Sequence, residues 1–147
     1  MREDSLIAIF NAIDSQIRHE NDLTGQRTTW LVISQSFLFG SFVAVAGMLG
    51  GVSPTASMTK LLFVVVPLVG VVLPILVLLS LCAAIYAIWQ WRAEYDRIRE
   101  MPEAKQLGWP HLKHQTPVMV LGQGLPIATC VVFLLAWIVI LIKMGTM

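Results

Sequence analysis

Charge is what this sequence has least of. Asp, Glu, Lys and Arg make up 13% of its 147 residues, against 56% hydrophobic residues, where a soluble domain carries roughly a quarter. That deficit excludes an ordinary water-soluble domain. The net charge is only +1, so there is no basic field to neutralise phosphates and a nucleic-acid partner is excluded. Cysteine is also scarce: Cys82 and Cys130 each sit in an apolar run, where they pack as small hydrophobes rather than form a disulfide or metal site. His111 and His114 stand three apart after Trp109 and Pro110, and His19 is alone. With no carboxylate or thiol beside the pair, these read as exposed loop side chains, and neither metal nor cofactor is expected. No Gly-rich phosphate loop, nucleophile elbow or zinc-protease helix occurs, and nothing sets a nucleophile beside a base, so the chain is not expected to be an enzyme. A signal peptide is not expected either, because the first apolar run begins near residue 29, behind too long a polar segment.

What the sequence has in abundance is apolar runs, at about 29–50, 61–91 and 118–142. Each exceeds the ~20 residues that cross ~30 Å of hydrocarbon, and in lipid only a helix satisfies its own backbone. The expected fold is therefore an all-α membrane protein, a single domain of three transmembrane helices. The second run is longer than one crossing needs, so it should tilt or continue beyond the bilayer as a helix. Residues 51–59 read as a turn. Positive charge sets the orientation. Arg2, Arg18, Arg27, Arg92, Arg97, Arg99, Lys105 and Lys113 flank one side, with only Lys60 and Lys143 on the other. Eight against two puts the N-terminus and the 92–116 loop in the cytoplasm and the C-terminus outside. Trp30, Trp89, Trp91 and Trp109 then lie near the cytoplasmic boundary, where indoles collect.

Ahead of the first span, residues 1–28 read as a cytoplasmic amphipathic helix. Leu6, Ile9, Phe10, Ile13 and Ile17 share one stripe, with Asp4, Asp14, Arg18 and Asp22 opposite. Lipid-surface helices carry Lys and Arg on the polar face; this face is largely acidic and favours packing on protein, the 92–101 helix being the candidate. Gly25 marks a place where the helix kinks or ends. The same stripe continues as Glu20, Thr24, Arg27 and Leu31, so the packed face turns polar just before the bilayer.

The first span carries Ser34, Gln35 and Ser41, and a ridge of small residues at Ser36, Gly40, Ala44 and Gly47. Small residues at this spacing let helices approach and hydroxyls bond across the contact. A buried amide such as Gln35 needs partners, which a neighbouring helix or a water-filled pore would supply. The second span holds Pro67, Gly70 and Pro74, candidates for a hinge or a static bend, because proline frees backbone carbonyls that neighbours must satisfy. The third opens with Gly122, Gly124 and Pro126 and is otherwise apolar. No span contains a central Asp, Glu, Lys or Arg, which argues against a transporter coupled through an intramembrane carboxylate.

Residues 17–39 run Arg18-His-Glu-Asn, then Arg27-Thr-Thr-Trp-Leu, then Ser34-Gln-Ser-Phe-Leu-Phe. This resembles a block recurring in a family of small uncharacterised bacterial membrane proteins. The resemblance implies a bacterial inner-membrane location and directs attention to Glu20, Asn21, Arg27, Trp30 and Gln35; it supplies no substrate. Two functions are expected, the first as the leading one. The first is a homo-oligomeric, cation-conducting channel, because three spans enclose no pathway alone and acidic residues in several copies form a ring. Its pore or polar network would use Glu20, Asn21, Asp22, Thr24, Arg27, Ser34, Gln35 and Ser41. The alternative is a non-conducting interaction or regulatory subunit that recruits a protein partner through its cytoplasmic helices. The bare reading of the charged cluster is helical pairing of Arg18 with Asp14 or Asp22, with Arg27 reaching for the interface.

Overall fold

A computed structural model describes residues 3–48, 56–106 and 116–146. They form four helices: α1 (Glu3–Met48), α2 (Ala56–Arg99), the short α3 (Pro102–Gln106) and α4 (Thr116–Gly145). α1, α2 and α4 are long and apolar enough to cross a membrane, and the chain is a multi-pass, all-helical membrane protein. Of the turn expected at 51–59, residues 56–59 are the first turn of α2, whereas 49–55 lie outside the described residues, as do Arg2, Trp109, His111, Lys113 and His114.

α1 has 46 residues, about 69 Å of continuous helix at 1.5 Å per residue. It passes through Gly25 without a break. The penalty of a single helical glycine, about 1 kcal/mol, is small beside the tertiary packing on either side of it. Thr28 and Thr29 turn their hydroxyls back to the carbonyls of Thr24 (2.8 Å) and Gly25 (3.0 Å), a local bond that threonine makes readily within a helix.

α2 also outruns its apolar segment, continuing to Arg99, so the first part of the expected 92–116 loop is helix. Its end tightens through Met101 N–H to the Ile98 carbonyl at 3.1 Å. α3 then starts on Pro102, a first-turn position where the missing N–H costs nothing. Arg97 and Arg99 fall in the last turn of α2, where cations oppose the negative end of the helix dipole.

α1 and α2 run antiparallel. At one end Ile13 is buried with Tyr95 and Ile98, and Ile9, Phe10 and Ile17 pack against them. The Phe10 and Tyr95 rings are 5.7 Å apart. Midway Leu31 is buried with Leu81, and at the other end Phe42 stacks on Phe63 at 5.2 Å. α4 lies parallel to α1. Its Cys130 joins the Leu31–Leu81 cluster, and Trp137 stacks on Phe39 at 4.4 Å. The molecule is thus a three-helix bundle at one end and an antiparallel α1–α2 pair, with α3, at the other. Outward faces of the bundle expose large apolar side chains such as Leu68, Leu76, Leu79, Val132, Leu135 and Ile142, the surface a bilayer covers.

Candidate functional site

Deepest in the bundle is a polar junction to which all three long helices contribute. Its origin lies in α2. Pro74 is inside that helix and has no N–H, so the Gly70 carbonyl four residues earlier loses its helical partner. Gln35 of α1, fully buried, donates its Nε2 to that carbonyl at 3.2 Å. Its Oε1 in turn accepts the indole N–H of Trp137 from α4. One amide therefore repairs the break in α2 and satisfies a buried tryptophan, both of which would be costly left unpaired. Among the described residues no buried side-chain N or O lacks a partner.

Sterics specify the same junction. A Cβ at Gly70 would lie 2.5 Å from Trp137 Cδ2 and 2.6 Å from Nε1, so only glycine lets the indole lie on the α2 backbone. Phe39 stacks on the indole at an interplanar angle of 5°, and Phe42 meets it edge-on at 83° with centroids 5.8 Å apart. These are favourable aromatic geometries. Pro67 and Pro74 are both buried. Gly70 and Pro74, named from the sequence as hinge candidates, are buried where the three long helices meet.

The other candidate side chains divide between two faces of α1. Glu20, Thr24 and Arg27 are half-buried and lie on the stripe that carries Ile13 above and Leu31 below. Arg27 approaches Glu20 at 4.0 Å, with about a quarter of the Glu20 side chain exposed. Asn21 and Asp22 point the other way and are exposed, lining an open groove with Gly25, Gln26, Thr29 and Trp30. Arg18 pairs with Asp14 at 2.6 Å, which leaves Asp22 with no ion pair among the described residues.

Ser34 and Ser36 bond the carbonyls of Trp30 (2.7 Å) and Val32 (2.8 Å), within their own helix rather than across a contact. Ser41 is half-buried. The ridge Ser36, Gly40, Ala44 and Gly47 is exposed, so the three-helix bundle does not use it. Sequence reasoning missed Trp137. The signal was an indole N–H placed deep in the apolar third span, far from the interfaces where such groups normally sit.

The described residues contain no group of three His, Cys, Asp or Glu able to hold a metal ion. Cys82 is exposed and Cys130 buried, both as free thiols. Comparison with protein-family models, curated proteins and solved structures finds no match to this chain. What defines its class is the set of three membrane-length helices joined at Gln35.

Proposed function

We propose that this chain is a non-conducting interaction subunit of the bacterial inner membrane, whose bundle anchors a cytoplasmic pair of antiparallel helices that recruits or regulates a protein partner. The observation that carries the reading is the helix pair itself. Beyond the bundle, α1 and α2 continue together around a core of Ile13, Tyr95 and Ile98, and Ala104 of α3 is fully buried. A two-helix element with its own apolar core is a preformed docking platform. Its outward side presents Ile7, Asn11, Ala12, Ser15 and Gln16, all exposed. The excess of Lys and Arg on the side of this helix pair supports the cytoplasmic orientation. The deep amide of α1 is consumed inside the protomer, so it lends no polar surface to a pathway between copies.

The homo-oligomeric cation channel remains a second reading because Asn21 and Asp22 face away from the protomer, where several copies would bring them together. Two experiments separate the readings. A photo-crosslinker at Asn11 or Ala12 in cells should capture a different protein, and the same probe at lipid-facing Leu135 should not. Self-adducts alone would end the interaction reading. Purified protein in planar bilayers should be silent; cation current reduced by Glu20→Gln or Asp22→Asn would establish the channel instead.

A further inference from the structure

We infer, on the membrane placement proposed above with Trp30 at the bilayer boundary, that the outer groove of α1 binds the headgroup of a phospholipid carrying a primary ammonium group. The groove runs along a single helix face, from Asn21 and Asp22 through Gly25 and Gln26 to Trp30 and Ile33. Its polarity falls in the order in which a phospholipid's does: carboxylate and amides first, an indole N–H next, then an aliphatic side chain. Asp22 stands eight residues from Trp30, about 12 Å along the axis. The headgroup layer is about 5–8 Å deep in each leaflet, so on a helix tilted by about 20–40° the carboxylate stands about 1–6 Å beyond its outer edge, on the side toward which the ammonium of an extended headgroup reaches.

Charge selects the ligand. Of the arginines near Asp22, Arg18 pairs with Asp14 at 2.6 Å and Arg27 approaches Glu20 at 4.0 Å, and neither lines the groove. No cation lines the groove, so an anionic headgroup finds a carboxylate and no counter-charge. The side chains of Asn21, Gln26 and Trp30 make no hydrogen bond among the described residues, which leaves amide N–H groups and the indole N–H for phosphate and ester oxygens. One aromatic ring is present rather than the cage that recognises a quaternary ammonium. A primary ammonium, donating N–H bonds to the carboxylate and the amide oxygens, is the better match. At Gly25 nothing lies within 4 Å of where a Cβ would stand, which leaves the floor of the groove open.

The full chain is reconstituted in nanodiscs of equal parts dioleoyl phosphatidylethanolamine and dioleoyl phosphatidylglycerol, then released into mild detergent, and retained lipids are counted by native mass spectrometry. The ethanolamine lipid should be enriched about tenfold, the worth of one charge-assisted hydrogen bond. Asp22→Asn should erase that enrichment, Gly25→Leu should reduce retention of both lipids by filling the floor, and Asn11→Ala should change neither. Equal retention of the two lipids by the wild-type chain, or an Asp22→Asn variant that keeps the preference, overturns the inference. Displacement of the lipid by soluble phosphoethanolamine reassigns the groove to a free amine and overturns the lipid. A disulfide between two Gln26→Cys chains, not seen with native Cys82 and Cys130 alone, puts a second copy there and overturns it too. Absence of any bound lipid would sink the membrane placement as well, whereas unselective retention sinks this inference alone.

Discussion

Gly70→Ala is the sharpest perturbation of the bundle, because it adds one methyl at the point where three helices meet. The new Cβ would come within 2.6 Å of the Trp137 Nε1 and closer to two carbons of the ring. The indole cannot back away freely, since Phe39 stacks on it and Phe42 abuts it. Overpacking of this kind costs about 1–3 kcal/mol. Moving the indole also breaks its bond to Gln35, adding about 1–3 kcal/mol for buried groups left unpaired. Alanine's better helix propensity returns about 1 kcal/mol. The net loss is about 3 kcal/mol, within about 1–5 kcal/mol. Reversible unfolding in mixed micelles measures it. Gly40→Ala and Gly47→Ala, where an added Cβ meets nothing within 4 Å, should be neutral or stabilising by up to about 1 kcal/mol. In a Trp137→Leu background the Gly70→Ala penalty should nearly vanish, a coupling of about 3 kcal/mol between residues in contact. A Gly70→Ala variant as stable as wild type, or a penalty unchanged by Trp137→Leu, would refute the account of the junction.

Gln35→Leu should destabilise the bundle by about 2–4 kcal/mol in the same unfolding assay, since it orphans a carbonyl and an indole N–H together. Pro74→Ala restores an N–H at the position that pairs with the Gly70 carbonyl, so in that background the Gln35→Leu penalty should fall by about 1 kcal/mol. Tyr95→Ala should cost about 3 kcal/mol, and hydrogen exchange should show the loss in residues 5–17 while the Leu31–Phe42 segment keeps its protection. Asp14→Asn should change stability by less than about 0.5 kcal/mol, because its partner Arg18 is 76% exposed and such pairs are screened.

Much of the architecture is legible in composition and periodicity. The stripe Ile9, Phe10, Ile13 and Ile17 in the sequence is the stripe that packs on Tyr95 and Ile98. Extended at the same spacing, it runs through the half-buried Glu20, Thr24 and Arg27 to the buried Leu31 and Gln35. Helical periodicity survives the change from apolar to polar because it is set by backbone geometry. Both halves of the central hydrogen bond are also visible in the sequence: a buried amide that needs partners, and a proline that frees a carbonyl. What joins them is tertiary. Gln35 and Gly70 are 35 positions apart, and Gln35 and Trp137 are 102 apart; no local pattern encodes which helix turns which face to which. The same limit explains the hydroxyls, whose choice between their own helix and a neighbour depends on how close the neighbour comes. Gly25 was a break signal that α1 ignores, because the packed stripe on both sides holds one helix together.

The Gln35 junction also sets a clock on biosynthesis. The amide enters the growing chain 102 residues before the indole it accepts from, which at 5–20 residues per second is about 5–20 s. Its other partner, the Gly70 carbonyl, follows after 35 residues, about 2–7 s at the same rate. For most of that interval the first two helices hold a half-filled hydrogen-bonding site in lipid, with the Gly70 surface bare where the tryptophan will lie. Such an intermediate offers a ready contact to any insertion factor that carries a donor at the right depth. The arrival of α4 brings the indole N–H to the waiting amide oxygen and closes the bundle.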